Sequence, residues 1–271
     1  MLKDITLGQY FPGKSLIHKL DPRVKILITI CYVVMLFAAS NPIGLSIGIF
    51  FLIVTYSISK IPIIMVVKSL KPILPIVIFT AVLNVFFVTN GDILFEFWII
   101  KISKTGIITA IIMSLRIVLL IAGTMLLTYT TSPISLTDGL ERLMKPLSKI
   151  RFPVHEISMM MTIALRFIPT LIEETEKIMN AQKARGADLQ TGSFTKRIKA
   201  LVPTLIPLFV SSFRRADELA LAMECRCYKG GEGRTRMKQL SICVNDYLAV
   251  FFTLICIAGV ILINVYVPAI V

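Results

Sequence analysis

Residues 26–60 read ILITICYVVMLFAASNPIGLSIGIFFLIVTYSISK, and no charged residue occurs before Lys60. This stretch decides the fold class. A helix needs about 20 apolar residues to cross a hydrocarbon core of about 30 Å. The runs at roughly 26–40 and 43–59 each come close to that length, and Asn41-Pro42 divides them. Proline inside a helix removes a donor and clashes with the preceding turn. The two runs are therefore predicted to fold back as a tight helical hairpin.

Three more apolar runs follow: roughly 72–89 with a kink at Pro75, 105–130 containing Arg116, and 247–267. Between them, 93–100 is too short to cross and is expected at the interface, anchored by Trp98. The composition agrees, with 271 residues of which 56% are hydrophobic and only 17% charged. Mean hydropathy is +0.82, whereas soluble domains carry about 45–50% apolar and about 25% charged residues. An ordinary globular enzyme and a disordered chain are both excluded. The expected fold is an all-α polytopic membrane protein of about five transmembrane helices, with the lipid bilayer as its first partner.

Charge orients these spans. Lys and Arg number 29 against 16 Asp and Glu, a formal net charge of +13. A basic excess also suits nucleic acid, but here it clusters at the edges of apolar runs, so no nucleic-acid partner is expected. Five Lys/Arg lie in 1–25, three in 60–71 and 18 in 131–246. Five crossings put all these blocks on one side, with the N-terminus cytoplasmic and the C-terminus outside. The polar, basic opening predicts no cleavable signal. The expected division is a four-span membrane domain at 1–130, a cytoplasmic coupling region at 131–245 and a final transmembrane helix at 246–271.

The middle region is read as three amphipathic or long helices. The first runs about 133–149, with Ser132 as N-cap and Pro133 at the first helical position. The second runs about 154–186, carries the i,i+4 pair Glu173 and Lys177, and ends at Gly186. The third runs about 196–227, with a stripe of Phe209, Phe213, Ala216, Ala220, Met223 and Cys227. The apolar runs at 154–172 and 200–213 are also candidates for further spans. Amphipathic helices are preferred because Glu156, Arg166, Pro203 and Pro207 interrupt those runs.

Pro-Thr-Leu-Ile occurs at 169–172 and again at 203–206, and each copy leads through a helix to a short arginine-bearing end. The ends are Ala184-Arg185-Gly186 and Cys225-Arg226-Cys227. Pro169 to Arg185 is 16 residues and Pro203 to Arg226 is 23, a difference of 7. Seven residues fall about 20° short of two whole turns, so each arginine leaves nearly the same face relative to its proline. Arginine suits a docking tip because its planar fork bonds carboxylates bidentately and stays charged. The plainer reading is two cations near helix C-termini, where the helix dipole favours them.

Gly8 to Ser15 reads GQYFPGKS and matches the nucleotide-binding P-loop pattern. That loop requires a preceding buried strand and a following helix in a parallel sheet. Here a membrane helix follows and Pro12 removes one cradling N–H, so nucleotide binding is rejected. The five cysteines suggest no disulfide framework, and Cys225-Arg-Cys227 is not a zinc spacing. No catalytic set, metal site, substrate-binding site or cofactor is expected. Arg116 is read as structural. Gly44 and Gly48 form a small-xxx-small contact pattern that suits either a partner or internal packing.

Along essentially its whole length the chain resembles the transmembrane T component of energy-coupling factor (ECF) transporters, close to the cobalt-transport permease family. The residues carrying the resemblance are the opening Gly8–Lys25, Ala164–Leu171, Ala181–Asp188 and Gly230–Thr235. The resemblance implies a non-catalytic scaffold of an ABC-type importer. Its partners would be two ABC-type ATP-binding subunits and a membrane-embedded substrate-binding S component for a vitamin or other micronutrient. The ATPase-docking residues would be Ala184, Arg185, Gly186, Cys225, Arg226 and Cys227, and the location a prokaryotic cell membrane. The second tip departs from the family's Ala-Arg-Gly. Without glycine at 227, the helix is expected to continue through Tyr228 to Gly230-Gly231. The competing function class is an autonomous secondary transporter, which would need broken helices or titratable groups at mid-membrane.

Overall fold

The computed structural model describes residues 10–88, 93–97, 100–150, 152–186, 194–231 and 240–266. Within them are ten α-helices: α1 (Leu16–Lys19), α2 (Pro22–Ala38), α3 (Pro42–Ser59), α4 (Ile63–Leu70), α5 (Leu74–Phe87), α6 (Lys104–Thr130), α7 (Pro133–Met144), α8 (Val154–Ala184), α9 (Phe194–Cys225) and α10 (Val244–Tyr266). A hairpin of β1 (Ile93–Phe97) and β2 (Ile100–Ser103) joins α5 to α6. The chain forms two compact units, one holding Gly8–Gly139 with Gln239–Val271, the other built on Leu140–Lys238.

The first unit is the predominantly helical membrane body. Four of its helical stretches are long and apolar enough to cross a bilayer: Pro42–Ser59, Ile63–Phe87, Lys104–Thr130 and Val244–Tyr266. The remaining expected crossing, α2, has 17 residues, about 25 Å at 1.5 Å per residue. It is slightly short of the hydrocarbon core, and it is the helix most enclosed by the others. α2 packs against α10, α6 and α3, burying Tyr32, Met35 and Leu36 almost completely. Outward-facing apolar residues such as Val34, Phe37, Ile76 and Phe79 are about 60% exposed. An apolar outer surface of this extent is what a bilayer solvates.

Local chemistry sets the ends of these helices. Asp21 caps α2, its carboxylate accepting from the Arg23 N–H, and Pro22 takes the first helical position. Pro42 opens α3 in the same way. Ser103 caps α6 by accepting from the Gly106 N–H at 2.9 Å, and its hydroxyl donates to the Val88 carbonyl. Pro72 and Pro75 tighten the α4–α5 junction into a 3-10 turn at Lys71–Ile73. Gly48 lies so close to Leu36 that an added Cβ would sit 2.5 Å from its Cδ2, and Gly44 faces Ala39 and Val260. The small-xxx-small pattern therefore serves internal packing.

The segment expected at the interface takes the form of the β1–β2 hairpin, and Trp98 lies outside the described residues. One expectation needs correction. The helix expected over 133–149 ends at Met144 and continues as a 3-10 turn over Lys145–Ile150. Pro146 has no N–H to continue the ladder and disfavours helical geometry at Lys145. Ser132 does cap α7, its Oγ accepting from the Ser135 N–H at 3.3 Å.

In the second unit, α8 and α9 have 31 and 32 residues. Neither is among the helices apolar enough to span a bilayer, in line with the amphipathic reading.

Candidate docking tips on two long helices

Interior prolines help to join α8 and α9. Pro207 brings no N–H, so the Pro203 carbonyl loses its helical donor. Gln182 of α8 supplies a replacement, its Nε2 donating to that carbonyl at 3.2 Å. Further along, Glu174 accepts from Arg215 Nη2 at 2.6 Å and from the Ser211 hydroxyl. Residue numbers fall along α8 as they rise along α9, so the two helices run antiparallel. Their C-terminal tips therefore lie at opposite ends of the pair. With Gln182 level with Pro203, roughly 40 Å of helix separates Arg185 from Arg226 at 1.5 Å per residue.

The two tips share a left-handed residue directly after the arginine, whose N–H bonds back three residues into the helix. At the end of α8, the Arg185 N–H donates to the Ala181 carbonyl at 3.2 Å and the Gly186 N–H to the Lys183 carbonyl at 2.9 Å. Gly186 turns the chain left-handed, with φ +86°. At the end of α9, the Cys227 N–H donates to the Glu224 carbonyl at 2.8 Å and the Tyr228 N–H to the Met223 carbonyl at 3.1 Å. These two bonds make the Schellman cap, and Cys227 occupies the left-handed position with φ 55°. The helix stops at Cys225. This corrects the expectation that it would run on through Tyr228: the two cap bonds hold Cys227 in a conformation glycine adopts more easily.

Ala184, Arg185 and Gly186 thus superimpose in role on Cys225, Arg226 and Cys227, and all six are exposed. Among the described residues, and leaving aside its chain neighbours, nothing lies within 4 Å of where a Gly186 Cβ would be. Among the described residues, neither guanidinium has an ion-pair or hydrogen-bond partner. The arrangement presents an exposed cation at the end of a long helix, twice, with small residues on either side. Each tip is brought together by local sequence, and the two tips are held apart by the antiparallel packing.

Sequence reasoning missed the Glu174–Arg215–Ser211 clamp. Glu174 has Lys177 at i+3 on its own helix, and only tertiary packing brings Arg215 to it from 41 positions away. The stripe through Phe209 and Phe213 is not packed within its unit, since these rings are 61% and 69% exposed.

The rejected phosphate-loop match has a structural use in its described part, Tyr10–Ser15. Ser15 caps the four-residue α1 and its hydroxyl meets His18 Nδ1 at 2.7 Å, while His18 Nε2 meets the Phe11 carbonyl at 3.0 Å. This pattern fits a neutral ring that donates through Nε2 and accepts at Nδ1. Burial, with the Lys25 charge adding, holds the His18 pKa below the usual histidine value. Gly13 leaves room for the ring, since a Cβ there would lie 2.6 Å from His18 Cε1. Arg116 is structural as expected: its Nη2 donates to the Ala39 carbonyl at 2.6 Å, closing the end of α2.

The model of the cobalt transport protein family, CbiQ, matches residues 13–237. The chain is 55% identical over 261 residues to the energy-coupling factor transporter transmembrane protein EcfT of Clostridium kluyveri, covering 95% of this chain and 97% of that one. It is 55% identical over 241 residues to the protein of the same name from Acidaminococcus fermentans, covering 89% of each. The Bacillus subtilis protein of that name is 48% identical over 240 residues, covering 89% of this chain and 91% of its own.

Proposed function

Since the chain belongs to the cobalt transport protein family and, within it, to the energy-coupling factor transmembrane proteins, we propose that it is the non-catalytic coupling subunit of such a transporter. It carries the ATP-driven motion of two ATP-binding subunits to a separate S component that holds the micronutrient. The observation carrying this reading is the pair of matched arginine caps at opposite ends of one antiparallel helix pair. Two tips facing the same way can share a site. Tips separated by roughly 40 Å of helix suit two separate subunits, one for each.

In this reading Arg185 and Arg226 reach carboxylates or carbonyl oxygens at the rim of an ATPase groove. Ala184, Gly186, Cys225 and Cys227 let the backbone approach closely. The Glu174 clamp and the Gln182 bond make the two rods one lever, so a shift at either tip moves both. The exposed rings of Phe209 and Phe213 offer the S component an apolar surface. Residues 131–245 and both basic edges of the membrane body face the cytoplasm.

Replacing both arginines in Arg185→Glu/Arg226→Glu tests the reading in the intact transporter. Co-purification of the ATPase subunits and ATP-dependent uptake are both expected to be lost, with the chain still in the membrane. Unchanged uptake and unchanged assembly in that double variant would refute the docking role.

A further inference from the structure

The membrane body holds an apolar pocket of about 270 Å³, open on one side, at the end where α2 and α10 begin and α3 and α6 finish. Its inner end meets the stacked rings of Tyr32, Phe51 and Phe252, whose centroids are 5.1 and 5.5 Å apart. α1 lies across its outer end, contributing Leu16, Ile17 and Leu20. The hydroxyls among its lining residues are turned away: Thr29, Thr55 and Thr130 each donate to a carbonyl of their own helix. Lys25 Nζ, also at the wall, donates to the His18 and Thr130 carbonyls. The walls are therefore apolar in effect, and even an apolar cavity of about 150 Å³ stays dry. Water is a poor occupant of this space.

The mouth is identifiable. Among the lining residues, Leu16, Ile58 and Leu248 are 58%, 41% and 62% exposed, and Asn245 is exposed beside them. They belong to α1, the end of α3 and the start of α10. Among the described residues, the exposed charges beside that opening are basic. Lys14 and Lys19 border α1, Lys60 caps α3, and all three are exposed. The nearby acids, Asp21 and Asp246, are 5% and 1% exposed. Asp21 pairs with Arg23 at 2.7 Å, and Asp246 accepts from the Asp21 and Cys243 N–H groups.

We propose that this cavity holds one acyl chain of an anionic phospholipid, whose phosphate lies at the mouth among Lys14, Lys19 and Lys60. A dry hydrocarbon slot with a basic, hydrogen-bonding rim matches an amphiphile whose tail enters and whose head stays outside. The bilayer supplies that molecule at the right depth. The lipid would fill the space between α2, α3, α6 and α10 and fix α1 over its outer end. The proposal does not depend on the docking tips.

The test is native mass spectrometry of the full chain released from nanodiscs of equal phosphatidylglycerol and phosphatidylcholine. Wild type is expected to retain one lipid, favouring phosphatidylglycerol about tenfold, given three lysines at the surface. Lys14→Gln/Lys19→Gln/Lys60→Gln alters only exposed side chains, and it is expected to keep one lipid but lose the headgroup preference. Ala249→Trp fills the cavity and is expected to lose the retained lipid; its folding is checked by its melting transition. If it does not fold, the lysine variant and a brominated-acyl phosphatidylglycerol located in the wild-type cavity decide the matter. Equal retention of the two lipids by wild type, or a folded Ala249→Trp chain that keeps its lipid, overturns the proposal.

Discussion

The residue that most sharply separates the two tips is Cys227. A side chain held in left-handed geometry costs about 1–2 kcal/mol relative to glycine, and the matched position in α8 is Gly186 with φ +86°. Cys227→Gly is therefore expected to raise the melting temperature of the purified chain and leave ATPase assembly intact. Gly186→Val, a β-branched residue in the same geometry, is expected to lower it. A lower melting temperature for Cys227→Gly would contradict the cap assignment. His18 gives a second residue-scale prediction. Its folded pKa lies below its ordinary value, chiefly through burial, so the fold favours the neutral ring. That contribution is complete above the unfolded pKa of about 6.5 and is lost as pH falls below it. Stability measured from pH 8 to 5 should fall on the acid side more in wild type than in His18→Gln. Parallel curves would show that the ring is not held neutral.

At the scale of elements, the antiparallel α8–α9 pair depends on contacts between residues far apart in sequence. Glu174 and Arg215 are partly exposed, at 20% and 37%, so their pair is worth about 1 kcal/mol. Glu174→Arg is expected to destabilise the pair, and Glu174→Arg/Arg215→Glu to recover most of the loss in a double-mutant cycle. Independent, additive effects would show that the clamp is not a coupled unit. Gln182→Ala is expected to cost less, about 0.5–1 kcal/mol, because its bond to Pro203 is exposed and water can replace it.

These elements also show what the sequence could disclose. The apolar runs marked the crossings because a bilayer enforces length and composition over about 20 residues at a time. The two arginine ends were visible because local spacing repeats. The clamp was not visible, because Glu174 finds Arg215 41 positions away through tertiary packing alone. The stop at Cys225 was misjudged because glycine is a preference at a Schellman cap, and two backbone bonds suffice to hold cysteine there. The β1–β2 hairpin was missed because its short apolar run reads equally well as an interfacial segment.

At the scale of the whole molecule, the +13 charge serves several purposes. The basic edges of the membrane body bias its orientation, while the second unit mixes both signs and places an exposed arginine at the C-terminal cap of each of its two long helices. A chain retaining only Cys225 and Cys227 is expected to react with a membrane-impermeant maleimide in inside-out vesicles and not in right-side-out ones, since both thiols are exposed. The reverse pattern would invert the proposed topology. The central claim is that one rigid helix pair engages two ATPase subunits at once. Photocrosslinking in the assembled transporter, with the reactive group placed at positions 185 and 226 of the same chain, tests it most directly. A product containing one copy of this chain and two ATP-binding subunits is the predicted result. If both positions label one subunit, or neither labels an ATP-binding subunit in an assembled and active complex, the account is wrong.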